Sequence, residues 1–366
     1  MKFSCVKAHL ERAAGIAERF AGKNLALPVL ASVLLEAEDN SLVITATNLE
    51  HAVQLRVPAR VSRAGKLCVP AKVLYSLLQS LAEDKIEGEA ERGALRLKTD
   101  TREGRLNGLG VDDFPLVPKI KKGETLLIDG RVLSQGLQRV LPAVSTSEFK
   151  PELSGVLFNA VRDTLTLCAT DTFRLAECRI TLGKEHAGPA ASFIVPYRAA
   201  QELARILEGE DETVSVILGD NQLLVESGLG RMISRLVEGN FPDYQGIIPA
   251  NFAASAYLQR DEIIRGVRAS SIFASKLQEV TLRLSPKYLE ITSANPEIGD
   301  YRTRWTSALK GEEIAMSFNW RYLLDGVQAM EEDEIFFGCN QATSPALLRN
   351  KSRSDFTYVV MPIRLT

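Results

Sequence analysis

Histidine, tryptophan and the usual signatures of catalysis are scarce in this chain. Its 366 residues include three histidines (His9, His51 and His186), two tryptophans and five cysteines. No histidine stands with a nucleophile or a second ligand in a recognisable motif. There is no Walker A loop, no G-x-G-x-x-G and no H-E-x-x-H, so nucleotide hydrolysis, dinucleotide redox chemistry and zinc proteolysis have no sequence support. Asp171 and Arg174 could pass for a catalytic pair, but Asp and Arg at this spacing more often form an ion pair or cap a turn. Cys5, Cys68, Cys168, Cys178 and Cys339 are odd in number and contain no C-x-x-C. They read as reduced thiols in a cytoplasm, mostly small core side chains, without a disulfide framework or a zinc site. No apolar run approaches the roughly 20 residues that span a bilayer. The start, Met1-Lys-Phe-Ser-Cys-Val6, has no long apolar stretch behind a basic segment and is read as lacking a signal peptide. Net charge is −2, so any nucleic-acid site must be a local patch and not a global field.

What is present is repetition. Leu165-Thr-Leu-Cys-Ala-Thr-Asp-Thr-Phe-Arg-Leu-Ala176 alternates like a strand, reaches a small polar turn and resumes. The same frame occurs at Leu42-Val-Ile-Thr-Ala-Thr-Asn48 and at Leu289-Glu-Ile-Thr-Ser-Ala-Asn295. Around each copy the order is a short strand, a helix, several strands, a second helix and more strands. Val69-Pro70 and Val195-Pro196 introduce second helices 126 positions apart, and Phe318-Asn319 does so 123 positions later. Units this long are domains and not solenoid repeats. The expected fold is α+β: three tandem copies of one domain, each with two helices packed on antiparallel sheets. Patterning lapses at Lys119-Ile-Lys-Lys-Gly123 and Pro249-Ala-Asn-Phe252, which sets the boundaries at 1–123, 124–250 and 251–366. Leu27-Pro-Val-Leu-Ala-Ser-Val-Leu-Leu35 reads as one strand, Asp39-Asn40 as a turn, and 131–143 as one helix.

Charge is divided between the elements. The six helical stretches (7–20, 71–81, 131–143, 197–207, 260–273 and 320–329) hold twelve Lys or Arg against six Asp or Glu, in a chain whose net charge is −2. Lys and Arg are good helix formers on solvated faces. The sharper reading is that the helices share a surface that meets an anion. A modest excess over a long surface suits phosphate-backbone contact without base readout, hence salt-dependent binding without sequence preference.

Several segments then fall into place together: Met1-Lys-Phe3, Leu27-Pro-Val-Leu30, Ala169-Thr-Asp-Thr-Phe-Arg-Leu-Ala176, Val195-Pro196, Gly239-Asn-Phe-Pro-Asp-Tyr244 and Tyr358-Val-Val-Met-Pro-Ile-Arg-Leu365. Across its whole length the chain resembles the bacterial sliding clamp family, the beta subunit of DNA polymerase III. The resemblance implies a head-to-tail homodimer forming a six-domain ring around double-stranded DNA, with helices lining the hole. It implies a non-catalytic processivity factor that needs no cofactor. Its partners would be DNA polymerase subunits, the clamp loader and other repair and replication proteins, in the cytoplasm and not on a membrane. Without the resemblance, the residues also admit a monomeric three-domain peptide-binding adaptor, or an enzyme whose site is assembled from scattered residues.

By position, the resemblance implies a partner-peptide pocket at Leu153, Thr170, Thr172, Arg174, Leu175, Pro242, Ile247, Val359, Val360, Met361, Pro362, Ile363 and Arg364. Apolar side chains with a few polar anchors suit a short hydrophobic peptide. It implies DNA-facing roles for Lys23, Asn24, Lys72, Lys150 and Arg198, and a dimer seam at Leu77, Leu106, Ile272 and Phe273. Three departures from the common family pattern stand out. Thr172-Phe173 replaces Gly-His, Gln245-Gly246 follows Tyr244 where a basic residue is usual, and Asn24 takes the place of an Arg.

Overall fold

The computed structural model describes residues 1–366 except 23–26, 119, 121–122, 148, 184–189, 307–308 and 365–366. The described residues divide into two compact units: 1–132 with 202–236, and 133–183 with 190–201 and 237–366.

The element order repeats three times. Repeat one runs β1 (Lys2–Val6), α1 (Lys7–Phe20), β2 (Ser32–Glu38), β3 (Ser41–Thr47), β4 (His51–Arg63), β5 (Gly65–Pro70), α2 (Ala71–Ser80), β6 (Lys85–Glu91), β7 (Ala94–Lys98) and β8 (Glu103–Asn107). Repeat two runs β9 (Glu124–Asp129), α3 (Gly130–Val140), β10 (Gly155–Val161), β11 (Thr164–Thr170), β12 (Arg174–Thr181), β13 (Ala191–Pro196), α4 (Tyr197–Ile206), β14 (Thr213–Leu218), β15 (Gln222–Ser227) and β16 (Gly230–Arg235). Repeat three runs β17 (Ala254–Gln259), α5 (Arg260–Ser271), β18 (Glu279–Leu284), β19 (Tyr288–Asn295), β20 (Gly299–Thr306), a short additional β21 (Leu309–Gly311), β22 (Ile314–Asn319), α6 (Trp320–Gln328), β23 (Glu334–Cys339), β24 (Ala346–Asn350) and β25 (Phe356–Val360).

Local chemistry explains where the elements differ from expectation. The strand expected from Leu27 begins only at Ser32, because Pro28–Ala31 forms a 3-10 turn. Pro28 has no N–H to give a ladder and a fixed φ suited to a helical first turn. Helix α3 stops at Val140, and Leu141–Ala143 tightens into 3-10 geometry around Pro142. Asp39 and Asn40 both have positive φ (43° and 60°), as a two-residue hairpin turn requires. All five cysteines are buried.

Each repeat builds two sheets from its own strands. In repeat one, β8-β7-β6-β1 form one ladder and β5-β2-β3-β4 the other. The sheets then continue from one repeat into the next. β4 pairs antiparallel with β16, with Val53 opposite Met232 and Ala52 opposite Ile233. β12 pairs antiparallel with β25, with Ala176 opposite Tyr358 and Leu175 opposite Val359. The first pairing contributes to a 12-stranded sheet and the second to a 9-stranded sheet. A third, 4-stranded sheet has the order β20-β19-β18-β22.

The first pairing depends on Gly230. Its φ is +143°, and a Cβ there would lie 2.2 Å from the Gln54 carbonyl oxygen and 2.9 Å from the Leu55 Cα. Gly230→Ala is therefore expected to cost at least about 2 kcal/mol, through backbone strain and a parted ladder. Denaturant melts should show this loss, while Gly246→Ala, in open space, should stay within about 0.5 kcal/mol of the parent.

Burial also fixes the thiols as thiols. It pushes Cys5 up to about 12 and Cys68, Cys178 and Cys339 up to about 11, from an ordinary 9.0. Raised folded values keep protons on the native state after the unfolded chain has released them. This stabilisation is complete below about pH 9 and disappears as pH rises through about 11–12. With the tyrosinate contribution subtracted through its band near 295 nm, thiolate absorbance near 240 nm should stay flat in the native protein to about pH 10 and titrate near 8.5 in denaturant.

Candidate partner-peptide pocket and nucleic-acid face

The residues after β11 form a turn capped by the side chains of Thr170 and Asp171. The Thr170 hydroxyl donates to the Arg174 carbonyl at 2.7 Å and accepts from the Thr172 N–H at 3.2 Å. Asp171 Oδ1 accepts from the N–H groups of Phe173 and Arg174, both at 2.9 Å. This permits a positive φ of 76° at Thr172, which a β-branched residue seldom adopts. The same turn occurs in repeat one. There the Thr47 hydroxyl donates to the His51 carbonyl, Asn48 caps Glu50 and His51, and Leu49 also has φ 76°. The sequence frame that recurs is therefore a strand ending with its capped turn.

Arg174 is held on three sides. Its Nε donates to Asp171 Oδ2 at 2.9 Å, its Nη1 to Asp325 Oδ2 at 2.5 Å, and its guanidinium lies 4.1 Å from the centre of the Tyr322 ring. Asp171 and Arg174 thus form a structural ion pair and a turn cap. Across the ladder, the Met361 N–H donates to the Phe173 carbonyl at 2.8 Å, and the Ile363 N–H to the Ser317 carbonyl at 2.7 Å. These two bonds tie the chain beyond β25 down beside the turn. Tyr358 is buried and its hydroxyl donates to the Tyr322 carbonyl.

The expected pocket residues separate into floor and rim. Leu153, Thr170, Leu175, Val359, Val360 and Pro362 are buried. Arg174, Met361 and Ile363 are half-buried, and Thr172, Pro242, Ile247 and Arg364 are exposed. Leu175 and Val359 belong to one apolar cluster with Leu157, Cys168, Ile194, Tyr244, Phe336 and Leu347. Tyr244 fastens the segment carrying Pro242 and Ile247 onto this cluster, and its hydroxyl donates to buried Glu177 at 2.7 Å. Burial, then the neighbouring Cys168 and Glu177, hold that phenol well above its ordinary value. Sequence reading did not single out Asp325, Tyr322 or Glu177. They lie far along the chain from the residues they hold, and no local pattern marks them. Phe173, at 58% exposure, is a large apolar group on the rim.

Of the residues assigned to DNA contact, Lys23 and Asn24 lie outside the described residues. Lys72, Lys150 and Arg198 are exposed and have no ion-pair partner among the described residues. Lys72 and Arg198 each occupy the second position of a second helix, α2 or α4. Arg321 occupies that position in α6 and is exposed as well. Position within the repeat would have added it to the set.

The four residues expected at a dimer seam lie at two strand edges. Leu77 covers β8, where a Cβ on Gly104 would meet its Cδ2 at 2.9 Å. Leu106 of β8 is buried in its own repeat, opposite Leu95. Phe273 stacks on Tyr301 of β20, with ring centres 6.0 Å apart, and Ile272 is 66% exposed.

Comparison with known proteins accounts for this architecture along its whole length. Residues 1–118, 127–243 and 245–364 match the N-terminal, central and C-terminal domains of the DNA polymerase III beta subunit. The beta sliding clamp of Synechocystis sp. is 30% identical, with both chains covered completely. The chain belongs to the DNA polymerase III beta subunit family. The crystal structure of the beta subunit from Thermotoga maritima superposes with a TM-score of 0.93 at 26% identity, covering all of both chains. A Pseudomonas aeruginosa sliding clamp bound to griselimycin gives 0.92 at 28%, again with both chains covered in full. The function is thus that of a DNA sliding clamp, a processivity factor and not a catalytic enzyme, with DNA and DNA polymerase as its partner classes. Among the described residues, no helix is long and apolar enough to cross a membrane.

Asp171 is the keystone of the pocket turn in this clamp. Asp171→Ala removes two backbone caps and one of the two carboxylates on Arg174, at a cost on the order of 2–3 kcal/mol. Hydrogen exchange should rise first at the Phe173 and Arg174 amides. Unchanged exchange at those two amides would show that the turn does not depend on Asp171.

Proposed function

We propose that this clamp closes head to tail with a second copy of itself into a six-domain ring on duplex DNA. The observation that carries the reading is a pattern of strand edges. The fourth strand of repeat one (β4) pairs with the last strand of repeat two (β16), and the fourth strand of repeat two (β12) with the last strand of repeat three (β25). The same rule leaves the fourth strand of repeat three, β20, and the last strand of repeat one, β8, as free sheet edges among the described residues. A β20 edge of one chain laid on the β8 edge of another satisfies both and repeats the internal geometry. Two such contacts close a dimer. Leu77 and Leu106 back one edge, and Ile272 and Phe273 the other.

In this reading the repeats end at 123 and 250. The exposed cations Lys72, Lys150 and Arg198 face the DNA phosphates, and Lys23 and Asn24, outside the described residues, are assigned to DNA contact as well. The pocket from Leu153 to Arg364 takes short hydrophobic peptides from polymerase subunits, from the clamp loader and from other repair and replication proteins. The buried residues form its floor, and Thr172, Phe173 and Ile247 shape its mouth. The clamp works in the cytoplasm. Because a ring holds DNA topologically, contact with phosphates can remain weak and salt-sensitive without loss of the tether.

Loading with a clamp loader and ATP onto closed circular and linearised duplex tests this. After a high-salt wash, protein should remain on the circle and run off the linear form. Equal loss from both, with the loader active on a control clamp, would remove the ring and favour a monomeric peptide-binding adaptor.

A further inference from the structure

We infer that the niche between α1 and β4 in repeat one is a binding site for a small organic anion, an apolar ring-sized group carrying a carboxylate or phosphate. The inference rests on a comparison of the chain with itself. β4 and β12 are equivalent strands: Leu42 pairs with Val57 as Leu165 pairs with Ile180. The Arg56 N–H donates to the Leu229 carbonyl at 3.1 Å, as the Arg179 N–H donates to the Asp355 carbonyl at 2.7 Å. Leu229 therefore occupies the place of Asp355. Ile16 and Arg139 are likewise each the tenth residue of their helix, α1 and α3.

In the second copy an ion pair stands at this place, beside a separate cavity of about 320 Å³ that Gln135, Arg139 and Glu331 help to line. Arg139 Nη1 lies 3.2 Å from Asp355 Oδ2 and 3.4 Å from Glu331 Oε1, and its guanidinium covers the Phe356 ring at 4.2 Å. In the first copy the pair is replaced by Ile16, much shorter than arginine, and Leu229, close in size to aspartate, and both are uncharged. A cavity of about 270 Å³ remains, floored by Ile16, Leu55 and Val57. That exceeds the roughly 150 Å³ that accepts benzene in an engineered apolar cavity.

The rim supplies the charge. His9, Arg12 and Arg56 line the mouth, all three exposed, and none has a side-chain hydrogen bond or ion pair among the described residues. The carboxylates of Glu210 and Glu212 lie against Gly228 at one side of the mouth and pair with none of the three. Where the second copy carries its own carboxylate, the first offers guanidinium groups without one. An apolar body in the cavity with its acid on Arg12 and Arg56 would restore the missing arrangement, with charge-assisted hydrogen bonds at the rim.

Saturation-transfer NMR on the full chain, with 4-phenylbutyrate and 4-phenylbutylamine, tests the site. The acid should bind and the amine should not, and binding of the acid should weaken with added salt. Arg12→Glu with Arg56→Glu, both at exposed positions, should raise the Kd for the acid by about tenfold or more. Ile16→Arg with Leu229→Asp, which rebuilds the ion pair of the second copy, should abolish binding while the protein melts as one folded species. Equal binding of acid and amine, a charge-reversed variant that binds like the parent, or no signal at about 10 mM acid would each overturn the proposal.

Discussion

An unpaired strand edge is a row of unsatisfied hydrogen-bonding groups, and much of this molecule follows from how its edges are covered. A single repeat makes two ladders and so has edges to satisfy. β16 covers β4 and β25 covers β12, with the same partner strands and the same antiparallel sense. The join is backbone pairing, so it tolerates wide change in side chains. The residues of β16 and β25 share little sequence: Gly-Arg-Met-Ile-Ser-Arg against Phe-Thr-Tyr-Val-Val. What the join does require is close approach, and Gly230 meets that need where a Cβ would meet the facing backbone.

The proposed pocket is a consequence of the same pairing. Because β25 lies on β12, the chain leaving β25 passes beside the turn that precedes β12, and the Met361 to Phe173 bond continues the ladder by one step. Apolar groups from distant parts of the sequence, Leu175 and Val359 among them, then share one cluster. Tyr244 and buried Glu177 add the polar anchor that fixes the covering segment in place. Arg174 cannot be a freely mobile binding group here. Two carboxylates and the Tyr322 ring hold it and so stiffen the turn that precedes β12.

The sequence revealed the parts whose signals are local. Alternating apolar residues ending in Thr-Asn or Thr-Asp marked β3 and β11, and the structure supplies the reason: the Thr hydroxyl and the Asx side chain cap the turn that follows. Six amphipathic helices and the repeat spacing were legible for the same reason. Pro28 and Pro142 misled the reading at element ends, where a single ring decides between strand, helix and 3-10 turn. The residues that hold Arg174 and Tyr244 were invisible because their partners are distant in sequence: Asp325 lies 151 positions from Arg174. Leu106 shows the ambiguity of an apolar residue on an edge strand, since one face packs inward while the strand's backbone stays open.

Duplication explains why equivalent places differ in chemistry. Once backbone pairing fixes the joint, side chains at each copy are free to diverge without unmaking it. At Arg139 and Asp355 the place is taken by ions, and losing Asp355 alone would leave the largely buried Arg139 with only the longer contact to Glu331, at a cost. Replacing both by Ile16 and Leu229 avoids that penalty, because no charge is left without a partner. The exchange costs least as a pair, and its by-product is apolar volume beneath exposed cations. The turns diverge in the same way: Leu49-Glu50 in one copy and Thr172-Phe173 in the other stand on identical caps. A joint held by backbone and caps thus leaves its neighbouring surface available for different ligands, and this is how one repeated fold can carry one contact at each place along the chain.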